Sequence, residues 1–301
     1  MNKYMEEKTK EQMEKIIASM EEQQTKNENW SPCWVKLGTG RPINFTTNEF
    51  YTGSNTFFCN LEMMSNNYPT NQWATYKQIK ALKIPFDVRG QSSTTLVRIV
   101  QIPLKDKDNQ PMLDSNGKPK FFNKPKYFNV FNISQVKGLE HLIKTVEVPN
   151  KATTIENVQK FIDNCQANIK FGGDQAFYKP SEDYIQMPNM DRFNDSYGYY
   201  STMLHELVHW TKKEGRSFRH QSSNRSGYAF EELVAETGSA LLCVMLGIEN
   251  EPRPDHAKYL NSWIKAIKDN PKVIQQAFSQ SQKAINYLYS LQDEQELDLV
   301  A

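Results

Sequence analysis

The sequence predicts a two-domain α+β protein, with an N-terminal mixed α/β domain over residues 1–148 and a mostly helical domain over residues 149–301. Three observations carry this prediction. The charge divides between the halves. Residues 30–137 hold 14 Lys+Arg against 6 Asp+Glu, net +8, whereas residues 151–301 hold 16 against 20, net −4. The near-neutral total of +1 conceals a basic half and an acidic half. Runs rich in β-branched and aromatic residues concentrate in the first half, while long apolar runs at helical spacing fill the second. The second half also carries His205-Glu206-Leu207-Val208-His209 inside one of those apolar runs.

Residues 3–24 set Met5, Met13, Ile16, Ile17 and Met20 at helical spacing amid charge, which predicts an amphipathic helix packed on the rest of the chain. Residues 75–82 predict a short second helix. Residues 94–104 and 126–133 predict two strands, joined by a long polar hairpin that Lys105-Asp106-Lys107-Asp108 and Asp114-Ser115-Asn116-Gly117 mark out. An exposed basic hairpin suits a nucleic-acid arm, although each single lysine is also what an ordinary solvent-facing loop carries. No Gly-, Ser- or Pro-rich linker follows, and the seam falls within residues 146–154. Residues 155–168 then predict a helix, Gly172-Gly173 a turn, and residues 175–187 two short strands joined by Pro180-Ser181-Glu182-Asp183. The strand leading to the next helix is placed to lend its edge to an extended peptide. Residues 199–210 are almost continuously apolar and predict a buried helix, with Gly215 as its stop. Residues 230–246 predict a second such helix, stopped by Gly247. Residues 255–269 and 271–292 carry helical spacing and end in an acidic tail.

The His-Glu-x-x-His stretch is the most informative in the chain, because residues four apart on a helix share one face and can aim two imidazoles at one metal ion. The glutamate beside them is placed to take a proton from a water that the metal acidifies. A catalytic zinc site usually takes three protein ligands. The third is expected from Phe230-Glu231-Glu232-Leu233-Val234-Ala235-Glu236, where carboxylates sit among residues that favour burial. Glu232 and Glu236 are four apart, so one can bind metal while the other accepts the N–H of a ligating imidazole. Glu231 points elsewhere on this reading and is solvated. His141, His220 and His256 are read as ordinary histidines.

Several runs resemble a known family. Gly173-Asp174-Gln175-Ala176-Phe177-Tyr178, Asp183-Tyr184-Ile185-Gln186-Met187-Pro188, the stretch from Tyr199 through His205-Glu206-Leu207-Val208-His209-Trp210, and Tyr228-Ala229-Phe230-Glu231-Glu232-Leu233-Val234-Ala235-Glu236 look like the C-terminal domain of ArdC-type antirestriction proteins of plasmids and mobile elements. The resemblance implies a zincin-like metallopeptidase fold in which His205, His209 and Glu232 bind the metal and Glu206 is the general base. After the motif, Lys212-Lys213-Glu214 replaces the family's more usual small, glycine-containing turn. The family also has an N-terminal single-stranded DNA-binding domain. Trp30-Ser31-Pro32-Cys33-Trp34, Arg41-Pro42-Ile43-Asn44, Tyr51-Thr52-Gly53-Ser54-Asn55 and Trp73-Ala74-Thr75-Tyr76-Lys77-Gln78 match that domain in order and kind.

The basic half mixes cations with aromatic rings, the combination that tracks a phosphate backbone while stacking splayed bases. Trp34, Arg41, Tyr51, Trp73, Lys77, Lys80 and Arg89 are the expected contacts, with little base specificity, and an aromatic-rich core under a solvated basic surface is the competing explanation. The cysteines Cys33, Cys59, Cys165 and Cys243 have no close pairing, which argues against a disulfide framework. With no apolar run reaching about 18 residues and no apolar leader, the expected location is the cytoplasm, with no membrane partner.

The resulting expectation is a gluzincin-like zinc metalloprotease joined to a single-stranded DNA-binding module, acting in antirestriction on an unknown protein substrate. It holds one Zn2+ per chain or another divalent metal. Tyr228 and His220 are the candidates to support the oxyanion. A non-catalytic DNA-binding antirestriction protein with a structural metal is the alternative. A metal-dependent nuclease fits less well, since the clustered aspartates of a two-metal phosphodiesterase are missing.

Overall fold

The computed structural model describes residues 41–144, 151–219, 225–248, 256–270 and 272–292, together with Glu7, Lys10, Glu11, Glu14, Ile17, Ala18 and Glu21. Those seven N-terminal positions are all helical, in line with the amphipathic pattern. Ile17 packs on the main core, and Lys268 bonds Glu21 at 2.5 Å.

The N-terminal half is built on a four-stranded sheet of order β1-β2-β4-β3, from β1 (Ile43–Asn44), β2 (Gln72–Ala74), β3 (Thr94–Pro103) and β4 (Phe121–Asn132). β1 runs parallel to β2, and the other pairs are antiparallel. The expected hairpin is present, with β4 starting five residues earlier than the pattern indicated. Helix α1 (Ser54–Ser65) fills the connection to β2, and Asn55 ties it to β3 through both the N–H and the carbonyl of Val97. Helix α2 (Tyr76–Ala81) starts at a capping box, in which Thr75 and Gln78 satisfy each other's free backbone N–H groups.

The second half opens with α3 (Lys151–Asn164) and a three-stranded sheet of order β5-β7-β6, from β5 (Ile169–Phe171), β6 (Phe177–Lys179) and β7 (Tyr184–Met187). Here the edge-strand expectation is corrected. β7, the strand nearest in sequence to the next helix, is paired on both sides, so the free edges belong to β5 and β6. Four helices follow: α4 (Ser196–Trp210), α5 (Arg225–Leu246), α6 (His256–Asp269) and α7 (Lys272–Ser290).

Hydrophobic burial does not stop at the seam. The main core joins Phe57, Phe58, Trp73 and Leu96 of the first half to Leu207, Leu241 and Phe278 of the second. Phe57 and Phe278 have ring centroids 4.7 Å apart. A smaller cluster around Ile79, Ile133 and Leu139 lies within the first half.

Packing of α4 on α5 decides the site. A Cβ on Gly238 would sit 3.0 Å from both methyls of Val208, so the missing side chain lets the two helices approach closely. Trp263 of α6 donates to the Ala229 carbonyl at 2.8 Å and anchors the first half of α5. The exit of α4 is also corrected: the helix ends at Trp210, five residues before Gly215. Asp183, in the β6–β7 turn, accepts from Lys213 at 2.8 Å, from Tyr178 at 2.9 Å and from Arg216 at 2.8 and 2.7 Å. Arg216 also stacks on Trp210 at 3.6 Å and donates to its carbonyl. Burial works to raise the Asp183 pKa, but its bonds to Arg216 and Lys213 hold it at about 2. The lysine-rich turn that departs from the family pattern is thus a clamp fixing the end of α4 to the sheet.

Candidate metal centre

Helical spacing puts His205 and His209 one turn apart on the face of α4 that meets α5, their ring centroids 4.7 Å apart. From α5, Glu232 reaches between them. One of its oxygens lies 3.7 Å from His205 Nε2 and the other 3.4 Å from His209 Nε2. All three donor atoms lie within 4.8 Å of one another, and all three residues are buried. A tetrahedral ion with bonds of about 2.0–2.1 Å has donor–donor edges of about 3.4 Å, and the two imidazole–carboxylate separations lie close to that value. A second observation supports the fit. Both ring nitrogens of His205 are buried with no hydrogen-bond partner, a cost that folded proteins rarely leave uncompensated.

Each imidazole backs onto a further carboxylate of α5. His205 Nδ1 lies 3.1 Å from Glu236, close but without the alignment of a hydrogen bond. His209 Nδ1 lies 3.1 Å from Glu231 Oε1, and this corrects the expectation that Glu231 is solvated. Glu231 is held from behind by Arg219, whose Nε and Nη2 donate to its two oxygens at 3.0 and 2.9 Å. Arg219 is itself buried and also donates to Thr211 Oγ1 and to the Val208 carbonyl near the end of α4. Glu231 stays charged as a result. Burial pushes its pKa up, but the bonds to His209 and Arg219 bring it to about 2. For His209, burial lowers the pKa while the charge of Glu232 and the Glu231 bond raise it to about 9. Burial opposes ionisation of Glu232 too, yet the His209 charge holds its carboxyl well below the usual range.

A carboxylate that fixes a ligating imidazole typically contributes 10–100-fold to metal affinity. Glu231→Gln and Arg219→Gln are each expected to weaken divalent-ion binding by about that factor, measured by calorimetric titration of chelator-stripped protein. Unchanged affinity in both variants would show that His209 needs no support from Glu231.

Of the other predicted residues, Glu206 is buried at 2% exposure on the helix that carries His205 and His209. Tyr228 lies one helical turn before Glu232 and is half-exposed. His220 and Trp34 lie outside the described residues. Among the expected DNA contacts, Lys77 and Lys80 are exposed on α2. Arg89 is exposed and already bound to Asp87, with its Nη2 2.7 Å from Oδ2. Arg41 is partly buried, lies 4.5 Å over the Phe50 ring and has its pKa lowered by burial. Two expectations are corrected here. Trp73 has 0% exposure in the sheet interior, and Tyr51 is buried with its hydroxyl accepting from Asn44 at 3.1 Å. Neither ring offers a face to a base in this structure.

Two family descriptions match the chain: "N-terminal domain of anti-restriction factor ArdC" over residues 6–131 and "Zincin-like metallopeptidase" over residues 156–280. The uncharacterized protein y4eC of Sinorhizobium fredii (strain NBRC 101917 / NGR234) is 30% identical over 256 residues, covering 84% of this chain and 82% of that protein. A DNA primase TraC of Escherichia coli is 32% identical over 281 residues, covering 88% of this chain but 26% of the primase, so the chain spans about a quarter of that relative. Among solved structures, the metal-free crystal structure of the antirestriction ArdC protein from the R388 plasmid matches with a TM-score of 0.74 at 30% identity, covering 94% of this chain and 97% of that one. Its Mn(II)-bound form matches with a TM-score of 0.72 at 29% identity and the same coverage. A protein similar to this one in both sequence and fold therefore holds a divalent metal.

Proposed function

Because the chain belongs to the ArdC family of antirestriction proteins, we propose that it is a zinc-dependent peptidase that works on a protein target near incoming single-stranded DNA. On this reading residues 1–148 hold the DNA and residues 149–301 hold the metal, with His205, His209 and Glu232 as ligands. The observation that carries it is the buried donor set of two imidazoles and one carboxylate, with Glu206 on the helix that supplies the imidazoles. A zinc ion held there supplies Lewis acidity toward a water and a peptide carbonyl. Glu206 takes the proton of the attacking water and returns it to the departing amine. Glu231 holds the His209 imidazole by a hydrogen bond, and Glu236 lies behind the His205 imidazole where a bound metal would draw the ring into line. Tyr228 or His220 is the candidate to donate a hydrogen bond to the carbonyl oxygen as charge develops, and His220 lies outside the described residues. DNA as partner is supported by the relative named as a DNA primase, which carries a region similar to most of this chain.

The burial of Glu206 favours a second reading. Structural metal sites are closed, whereas catalytic ones keep an open position. With His205 and Glu206 both buried, a DNA-binding antirestriction protein with a structural metal is the competing function. One experiment separates the two. Metal-loaded full chain and Glu206→Gln are given an unstructured protein substrate with and without single-stranded DNA. The peptidase reading expects metal-dependent cleavage that falls by about 10²–10⁴-fold in the variant while its metal content is unchanged. DNA-dependent protection that survives in Glu206→Gln would assign the function to binding.

A further inference from the structure

Beyond Leu96 and Phe128, the β3–β4 pair leaves the core and continues as a two-stranded ribbon with every residue from Phe121 to Lys126 exposed. Its register sorts the side chains, because opposed residues of an antiparallel pair share a face and successive residues alternate. Arg98 stands opposite Lys126, Val100 opposite Lys124 and Ile102 opposite Phe122, which puts three cations and one exposed ring on a single face. The other face pairs Ile99 with Pro125, Gln101 with Asn123 and Pro103 with Phe121, and carries no charge. Neither 97–103 nor 121–127 contains an acidic residue. Among the described residues, Arg98, Lys124 and Lys126 have no ion-pair partner. Aspartates occur only toward the tip. There Asp106 accepts from the backbone of Asp108 and Gln110, and Asp114 from that of Asn116 and Lys118, so both are committed to turns.

Like charges directly opposed across a strand pair destabilise it. Arg98 against Lys126 is therefore a cost that a bound polyanion would relieve. Blunting an exposed strand edge needs only a lysine or a proline, and Lys124-Pro125-Lys126 already supplies that. It does not account for a third cation placed in register on the neighbouring strand. We propose that this face is the track for the backbone of single-stranded DNA, with Arg98, Lys124 and Lys126 on phosphates and Phe122 as a stacking surface for a base. The proposal rests on the DNA-binding reading above and locates it on the ribbon, away from α2 and the buried Trp73.

The test is fluorescence anisotropy of the full chain with a labelled thirty-nucleotide oligo-dT across a salt series. Arg98→Gln/Lys124→Gln/Lys126→Gln is expected to lose most of the affinity and to flatten the salt dependence by about 2 log units per log unit of salt, at roughly 0.7 per single-strand phosphate contact. Its melting temperature should match or exceed that of the parent, since the repulsion is gone. Phe122→Leu should bind about 5- to 100-fold more weakly with the salt dependence unchanged. If the triple variant binds like the parent while Lys77→Gln/Lys80→Gln does not, the track is on α2, and the DNA-binding reading survives without the ribbon. A triple variant that binds like the parent but aggregates would assign the cations to edge protection. A parent chain that binds no oligonucleotide removes the DNA-binding reading and the ribbon proposal together.

Discussion

The double variant His205→Ala/His209→Ala is expected to lose its divalent ion entirely and, with it, every response of thermal stability to metal or chelator. The candidate ligands converge from two helices that share the core, so the free energy of binding an ion there would be transmitted directly to the packing of α4 on α5. Without the imidazoles, the buried Glu232 loses both rings it lies between, and Glu231 keeps only its bonds from Arg219. Removing one side of a buried ion pair typically costs about 3–5 kcal/mol. The same residues set a pH dependence. In the metal-free protein His209 has its pKa raised to about 9, so the stability it contributes is fully present below the ordinary histidine pKa and is lost as pH rises through about 9. That contribution is on the order of 3 kcal/mol. The metal competes with this proton, so affinity should rise with pH up to about 9 and level off above it. Melting curves at pH 6.5, 7.5 and 9, with and without zinc, check both trends. One ion per chain retained by the double variant would remove His205 and His209 as ligands, and a metal affinity that is flat across this range would remove His209.

The parts of this site that could be read from sequence are those fixed by helical geometry alone. His205 and His209 repeat at the spacing of one turn, and Glu232 and Glu236 do the same on α5, so each pair declares its own face. Glu231 was misread by the same logic. One residue away from Glu232 it turns by roughly 100° around the helix, which suggests solvent when the helix is considered alone. What covers it is Arg219, brought there by the path of the chain after α4, and no local pattern announces that contact. Asp183 is hidden for the same reason: its cationic partners Lys213 and Arg216 lie some thirty residues later and meet it only once α4 is in place. Strand length limits the rest. The ten-residue β3 was legible from its composition, whereas β5 has three residues and pairs only through β7.

Trp73→Ala is expected to destabilise the protein by about 3–5 kcal/mol, the usual cost of emptying a fully buried aromatic site. Sequence alone made Trp73 as good a stacking residue as a core one, because composition cannot tell which face of a three-residue strand is covered. The structure places it in β2, in register with Asn44 on one side and Asn132 on the other, and edge-on to Tyr68 with ring centroids 6.1 Å apart. Its indole N–H is buried without a hydrogen-bond partner, which makes Trp73→Phe the informative companion. Phenylalanine leaves a smaller void and removes the unpaired donor, so this variant should recover a large part of the lost stability. If Trp73 only packs, Trp73→Phe folds and binds single-stranded DNA with parental affinity and salt dependence. Were Trp73→Ala to melt like the parent yet bind DNA more weakly, the ring would be reaching bases, and the sheet would have to open to let it do so.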